Sequence, residues 1–188
     1  QEGYGVTTLM TTNDAADVSA LATSLVVMAA GRVVQVDRTA TVRRSPATLL
    51  AALVTGPIAT LGMRVVADGG GYWLVADDAD TGESVRLRAW TPALAAYVGA
   101  EVTVAVRPEE VVIADTGSIP ATRALMDTVA NLPPGRYECL VAGQRVAAMA
   151  PTGESPRPGD RVRLRIDHHV AFDPRSGTNV TSGVRPQM

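Results

Sequence analysis

Thr7 to Val36 reads TTLMTTNDAADVSALATSLVVMAAGRVVQV. An apolar, threonine-rich run, Val6 to Thr12, predicts a strand, because β-branched side chains suit a pleated surface. Asn13-Asp14 forms a polar corner. Ala15 to Ala22 predicts a short helix. Two further apolar runs, Leu25 to Ala29 and Val33 to Val36, flank Gly31-Arg32 and predict a hairpin.

Working outward, Thr39 to Arg44 leads to Ser45-Pro46. Serine followed by proline is a helix-start signal, so Pro46 to Val54 is predicted as one short helix stopped by Gly56-Pro57. That pair is the expected domain boundary, dividing residues 1–56 from 57–188. Beyond it the texture changes to short β runs separated by turns. The predicted strands are Gly62 to Val66, Tyr72 to Ala76, Ser84 to Ala89, Val102 to Arg107, Val111 to Ala114, Arg136 to Val141, Gln144 to Ala148, Arg161 to Ile166 and Val170 to Phe172. Glycine and proline turns lie between them. Evenly spaced short strands with such turns argue for a small barrel or sandwich. Val85 to Ala89 and Val162 to Ile166 alternate strictly, which buries one face and wets the other. Pro92 to Val98 predicts a helical turn, Ala121 to Asn131 a short helix or irregular crossing, and the tail from Ser176 a loosely ordered end. Gly99 to Pro108 parallels Gly159 to Asp167: a glycine turn, an acidic residue, then an alternating strand. A duplicated OB-like barrel would produce this, and so would two unrelated hairpins.

The chain has 188 residues and a formal net charge of −2, so composition gives no reason to expect nucleic acid as partner. All 17 basic residues are arginine. A Walker-type phosphate loop needs a lysine to reach the β- and γ-phosphates, and no such loop can be built here. Cys139 stands alone, which excludes a disulfide framework or a cysteine-rich metal site and fits a reducing compartment. No apolar run reaches membrane-spanning length. A chain opening on Gln1 rather than methionine is expected to be a piece of a longer protein.

Three blocks carry a resemblance: Thr7 to Val36; Arg44 to Gly56, RSPATLLAALVTG; and Val106 to Val111, VRPEEV. The closing Asp167 to Gly177, DHHVAFDPRSG, adds to them. In this order they resemble the C-terminal half of carbohydrate-importer ABC ATPase subunits of the maltose-importer type, with their TOBE regulatory domain. The resemblance implies an α/β remnant, the end of an ATPase domain with its switch-loop strand, helix, hairpin and linking helix. A mainly β, OB-like barrel domain would follow. It implies a parent that binds ATP and magnesium and energises sugar uptake. It also implies a paired or homodimeric ATPase subunit, transmembrane permease subunits met through the preceding head, and cytoplasmic regulators. The expected location is the cytoplasmic face of the cell membrane, held there through transporter subunits. The chain itself is expected to be non-catalytic and to bind no cofactor.

At the family's switch histidine this chain has Asn13, followed by Asp14. Asparagine can donate a hydrogen bond but cannot become cationic beside a developing phosphate charge. Asp17 stands where the family usually has glutamate, and Thr23-Ser24 where it usually has Asp-Arg. The plainer reading is that Asn13 or Asp14 caps a helix, with Asp17 completing a capping box. His168-His169 on a strand would point to opposite faces, which suits no shared metal ion. Trp73 and Trp90 are expected as core anchors rather than as a stacking platform. Asp68 to Gly71 joins β runs and opens no helix, so it is no phosphate loop. The regulatory or interface candidates are Arg107, Glu109 and Glu110, on a strand end taken to be exposed, and Asp173 and Arg175, on the loop near Asp173 to Gly177. A second reading is a stand-alone OB-type module binding a small anion or oligosaccharide in an arginine-lined groove. An enzyme is the third and weakest reading, because no nucleophile–base pair, carboxylate pair or metal set is recognisable.

Overall fold

The structure, a computed structural model, describes residues 6–77, 82, 84–114, 119–122, 135–150 and 157–181. The N-terminal third runs helix, hairpin, helix, helix. Helix α1, Ala15–Leu21, begins at Asp14, whose side chain accepts from the Ala16 amide at 2.7 Å. The capping reading therefore holds for Asp14. Asp17 does not close a box with it but accepts the Thr12 hydroxyl at 2.9 Å. Strands β1, Ser24–Ala29, and β2, Arg32–Arg38, form an antiparallel hairpin. Its turn is Ala30-Gly31, one residue before the expected Gly31-Arg32. Both turn residues have positive φ, at 48° and 73°, as the right-handed twist of a two-residue hairpin demands.

Two expectations fail here. Val6 to Thr12 forms no strand and is exposed throughout. A strand must hand its amides and carbonyls to a neighbour, and no strand pairs with it among the described residues. The single helix over Pro46 to Val54 is also replaced. Thr39–Arg44 is itself helical (α2), and the next helix, α3, spans only Leu49–Leu53, with the Thr48 hydroxyl capping the Ala51 amide at 3.2 Å. The intervening backbone is captured by buried side-chain amides, which removes it from any helical ladder. Gln35 donates to the Ser45 carbonyl at 3.1 Å and accepts from the Ala47 amide at 2.7 Å. Asn179 donates to the Pro46 carbonyl at 2.7 Å.

The remainder is mainly β. Strands β3, Ala59–Asp68, β4, Gly71–Asp77, β5, Ser84–Ala89, and β6, Glu101–Val106, are followed by β7, Val111–Ile113, and β8, Ile119–Thr122. Then come β9, Arg136–Val141, β10, Gln144–Met149, β11, Arg161–Ile166, and β12, Val170–Phe172. A 3₁₀ turn at Pro92–Tyr97 matches the expected helical turn. β8 falls partly where a helix or crossing was expected, over Ala121-Thr122; residues 123–131 of that expectation lie outside the described residues. One five-stranded sheet has the order β12-β6-β3-β4-β5, and a closed barrel has the order β10-β7-β11-β8-β9.

These two orders have the same plan. In β3 to β6 and again in β8 to β11, each hairpin strand pairs with the next and the fourth strand returns to the first. The fifth strands are exchanged: β7 follows β6 but pairs with β11, while β12 follows β11 but pairs with β6. The echoing segments Gly99 to Pro108 and Gly159 to Asp167 carry the two corresponding fourth strands. Exchange ties the halves into one buried cluster, in which Leu61, Val102 and Val104 pack with Val111, Ile113 and Leu164. The crossings touch directly, since the Asp167 amide donates to the Glu110 carbonyl at 2.9 Å. Of the tail expected to be loose from Ser176, residues 176–181 are held in place, and 182–188 lie outside the described residues. Asn179 and Val180 are buried, and the Val180 amide reaches the Ala171 carbonyl at 2.8 Å.

The two sides of the expected boundary at Gly56-Pro57 touch. The Leu49 amide donates to the Gly177 carbonyl at 2.8 Å. Ala52 packs with Ala105, Val170 and Phe172, and Leu49 and Ile58 flank them. Among the described residues no helix is long and apolar enough to cross a membrane.

Candidate functional site

The most densely bonded polar group lies where α2 and α3 meet the end of β6. β6 delivers Arg107 into this junction because Pro108, lacking an amide hydrogen, ends the strand and opens a 3₁₀ turn over Pro108–Glu110. Arg107 is 7% exposed. Its guanidinium donates to the Ala52 carbonyl at 3.2 Å, the Arg43 carbonyl at 3.3 Å, the Pro57 carbonyl at 3.5 Å and the Thr55 hydroxyl at 2.7 Å. The Ala52 carbonyl lies at the C-terminal end of α3, where it also accepts from the Thr55 hydroxyl at 3.0 Å, and a cation suits the negative end of a helix. Arg107 was expected at an exposed strand end facing a partner. It is instead a buried clamp between the linking helices and the sheet.

Arg43 completes the clamp from the other side, donating to the Thr55 carbonyl and pairing with Glu109. Gly56 lies between the two arginines with φ +129°. A Cβ there would meet Arg43 Nη1 at 2.8 Å and Arg107 Nη1 at 3.4 Å, so only glycine suits the position. Burial, and then the Arg43 guanidinium, lower the Arg107 pKa to about 10, with Glu109 and Glu110 opposing. It therefore stays charged at neutral pH. Arg43, Arg107 and His168 also line a narrow cleft with Pro46, Ala52, Ile58, Ala105 and Val170. The arginines already spend their donors on protein carbonyls, and the cleft is of water size, so it does not offer the arginine groove of the anion-binding reading.

The other candidates separate. Glu109 is exposed beside Arg43, and Glu110 is half-buried at the strand crossing. Asp173 is tied into its own turn. It accepts from the amides of Arg175 at 2.9 Å and Ser176 at 2.7 Å, and from the Tyr97 hydroxyl, forming the turn that ends β12. These bonds, chiefly that of the Ser176 amide, hold its carboxyl below the ordinary range. Arg175 is exposed on that loop, away from the Arg107 clamp in the chain. Asn13 is exposed immediately before the cap. Among the described residues no group of histidine, cysteine or acidic side chains could hold a metal ion.

Trp73 and Trp90 are not core anchors. The alternation that buries Leu74 and Ala89 turns their neighbours outward, and Trp90 is 72% exposed. Phe172, Leu61, Met63 and Leu74 fill the interior instead. Sequence reasoning missed Arg43, Thr55, Gln35 and Asn179. A glutamine inside the apolar run Val33 to Val36 was the one available signal, because a polar residue on an inward strand position needs a partner.

His168 and His169 sit in the crossing from β11 to β12. Burial lowers the pKa of both. For His168, Arg44 and Arg107 add to the effect and Glu110 opposes it; His169 is lowered to about 4, with His168 as the second cause. The unfolded chain therefore binds more protons than the folded one between about pH 4 and the ordinary histidine value of 6.5. Stability is full above pH 6.5 and falls as pH drops through that window. His169 contributes a loss of roughly 3 kcal/mol at its foot. Urea titrations at pH 7 and 4.5 on the chain and on His169→Gln check this: the glutamine variant should show the smaller difference between the two pH values.

No family model matches the chain, and no curated protein matches it.

Proposed function

We propose that this chain is the C-terminal regulatory and dimerisation portion of an ABC importer ATPase subunit, of the kind that energises solute uptake and above all sugar uptake. The observation that carries the reading is the Arg107 clamp. Through it the VRPEEV strand end grips the helices following the hairpin, so movement of the N-terminal elements is passed to the β domain rather than absorbed by a linker. A regulatory domain that answers to an engine needs such a rigid joint. The helix–hairpin–helix order, followed by two exchanged five-strand units, supports the same reading. So does the hairpin's outer face, where Val26, Met28 and Val36 are 51%, 59% and 46% exposed. A contiguous apolar sheet face of that kind marks an interface, and in this reading the preceding catalytic head covers it. ATP and magnesium belong to that head. The β part pairs with a second subunit and receives cytoplasmic regulators, and the assembly sits at the inner membrane face through its permease subunits. The two exchanged units are OB-like modules of the TOBE type.

Intact-mass measurement with N-terminal peptide mapping of the protein in its source cells tests this. The expected parent is much larger and contains a lysine-bearing phosphate loop upstream. A native product that begins near Gln1 would overturn the proposal.

A further inference from the structure

The outer face of β4 and β5 carries an arrangement that the preceding reading does not use and does not depend on. Trp73 on β4 lies opposite Arg88 on β5, Val75 lies opposite Arg86, and Arg64 on β3 lies opposite Val75. Arg86 sits over the Trp73 ring at 5.3 Å from its centroid. Arg88 lies 5.5 Å from the Trp73 centroid and 3.7 Å from that of Trp90. Arg64, Arg86 and Arg88 are exposed. The ion pairs among the described residues involve other arginines: Arg43, Arg145 and Arg165. The face thus presents Arg86 and Arg88 against indole rings and, among the described residues, outside any ion pair, while Arg64 lies opposite Glu101 on β6.

Stacking on an indole holds a guanidinium plane and leaves its N–H edge free for a bidentate carboxylate. Less side-chain freedom is then lost on binding. Arg86 and Arg88 are alternate residues of one strand and project from the same face, about 6.7 Å apart. Alternate side chains of any extended peptide have that same spacing. Arginine and tryptophan together are also the residues in which interface energy concentrates.

We propose that this face binds a short, extended acidic segment of a partner protein, with carboxylates at alternate positions meeting Arg86 and Arg88 and its backbone lying against Trp90. Single-stranded nucleic acid fits less well. A guanidinium group already takes one face of each indole, which leaves no run of open rings for successive bases, and a chain of net charge −2 has no long-range field to gather a polyanion.

The chain has 2 tryptophans, both on this face, so intrinsic fluorescence reports on it directly. The full chain is titrated with an acetylated, amidated octapeptide of alternating glutamate and threonine, and separately with a single-stranded thymidine octanucleotide. The expected result is a saturable fluorescence change with the peptide that weakens as salt is raised. Its midpoint should shift by at least about tenfold in Arg86→Gln/Arg88→Gln, as loss of charge-assisted hydrogen bonds requires. Arg145→Gln, on the barrel, should leave the midpoint in place. No change with the peptide, an equal shift in Arg145→Gln, or saturation by the oligonucleotide at lower concentration would each overturn the proposal.

Discussion

Replacing Arg107 with methionine lowers the stability of the chain by about 3 kcal/mol, the range for removing one partner from a buried, charge-assisted network. Methionine keeps most of the volume but none of the donors. The carbonyls of Arg43, Ala52 and Pro57 and the Thr55 hydroxyl then lose the cation that five donated bonds had brought among them. The loss is not confined to global stability. Amides of α3 should exchange faster with solvent, because the helix end loses its anchor to β6 while β3 to β5 keep their ladder. Arg107→Lys should recover only part of the effect, since a point charge on a flexible stem cannot serve the same carbonyls as a planar fork. Urea midpoints and amide exchange measure both quantities. A methionine variant as stable as the parent, with α3 exchange unchanged, would show that the clamp joins nothing.

Phe172→Ala should cost more, about 4 kcal/mol, as expected for emptying a fully buried aromatic site. Phe172 is wholly buried on β12, the exchanged strand, among Ala52, Ala105 and Val170. Its ring is where the linking helix, the first sheet and the strand donated by the second unit meet. The Phe172 backbone pairs with Thr103 and also bridges to Asn179, so both strand edges are occupied. A cavity there cannot close by moving one element without disturbing the others, which places the expected cost toward the upper part of the range. Phe172→Leu should cost much less. Thermal or urea unfolding checks both, and equal costs for the two substitutions would show that the site collapses around whatever it holds.

Much of the β part was legible in the sequence because a strand with one buried face writes itself as alternation. β5 and β11 alternate in burial as Val85 to Ala89 and Val162 to Ile166 alternate in polarity. Turn glycines marked the ends. Helix α1 was legible for an equally local reason: an aspartate cap precedes a run of helix formers. The failures have distant causes. Val6 to Thr12 has strand composition but no neighbour to bond. Pro46 begins no helix because Gln35, 11 positions away in number, and Asn179, 133 away from it, take the local backbone. Pattern reading cannot see a hydrogen bond across that separation.

The candidate site divides in the same way. That Arg107 and Pro108 end a strand is a property of proline and follows from order alone. That Arg107 turns inward to helix carbonyls, and that Trp90 turns outward to lie on Arg88, depend on which face each strand offers its neighbours. By itself the sequence determined a mainly β chain behind a helix and hairpin, an echo between two of its strands, and a composition from which no lysine-bearing phosphate loop can be built. Only the tertiary structure decided that the echoing units exchange their last strands, and that one arginine fastens the linking helices while two others are held on tryptophan. Pairing between distant strands is selected by the burial that the whole assembly gains, and no short stretch of sequence contains that sum.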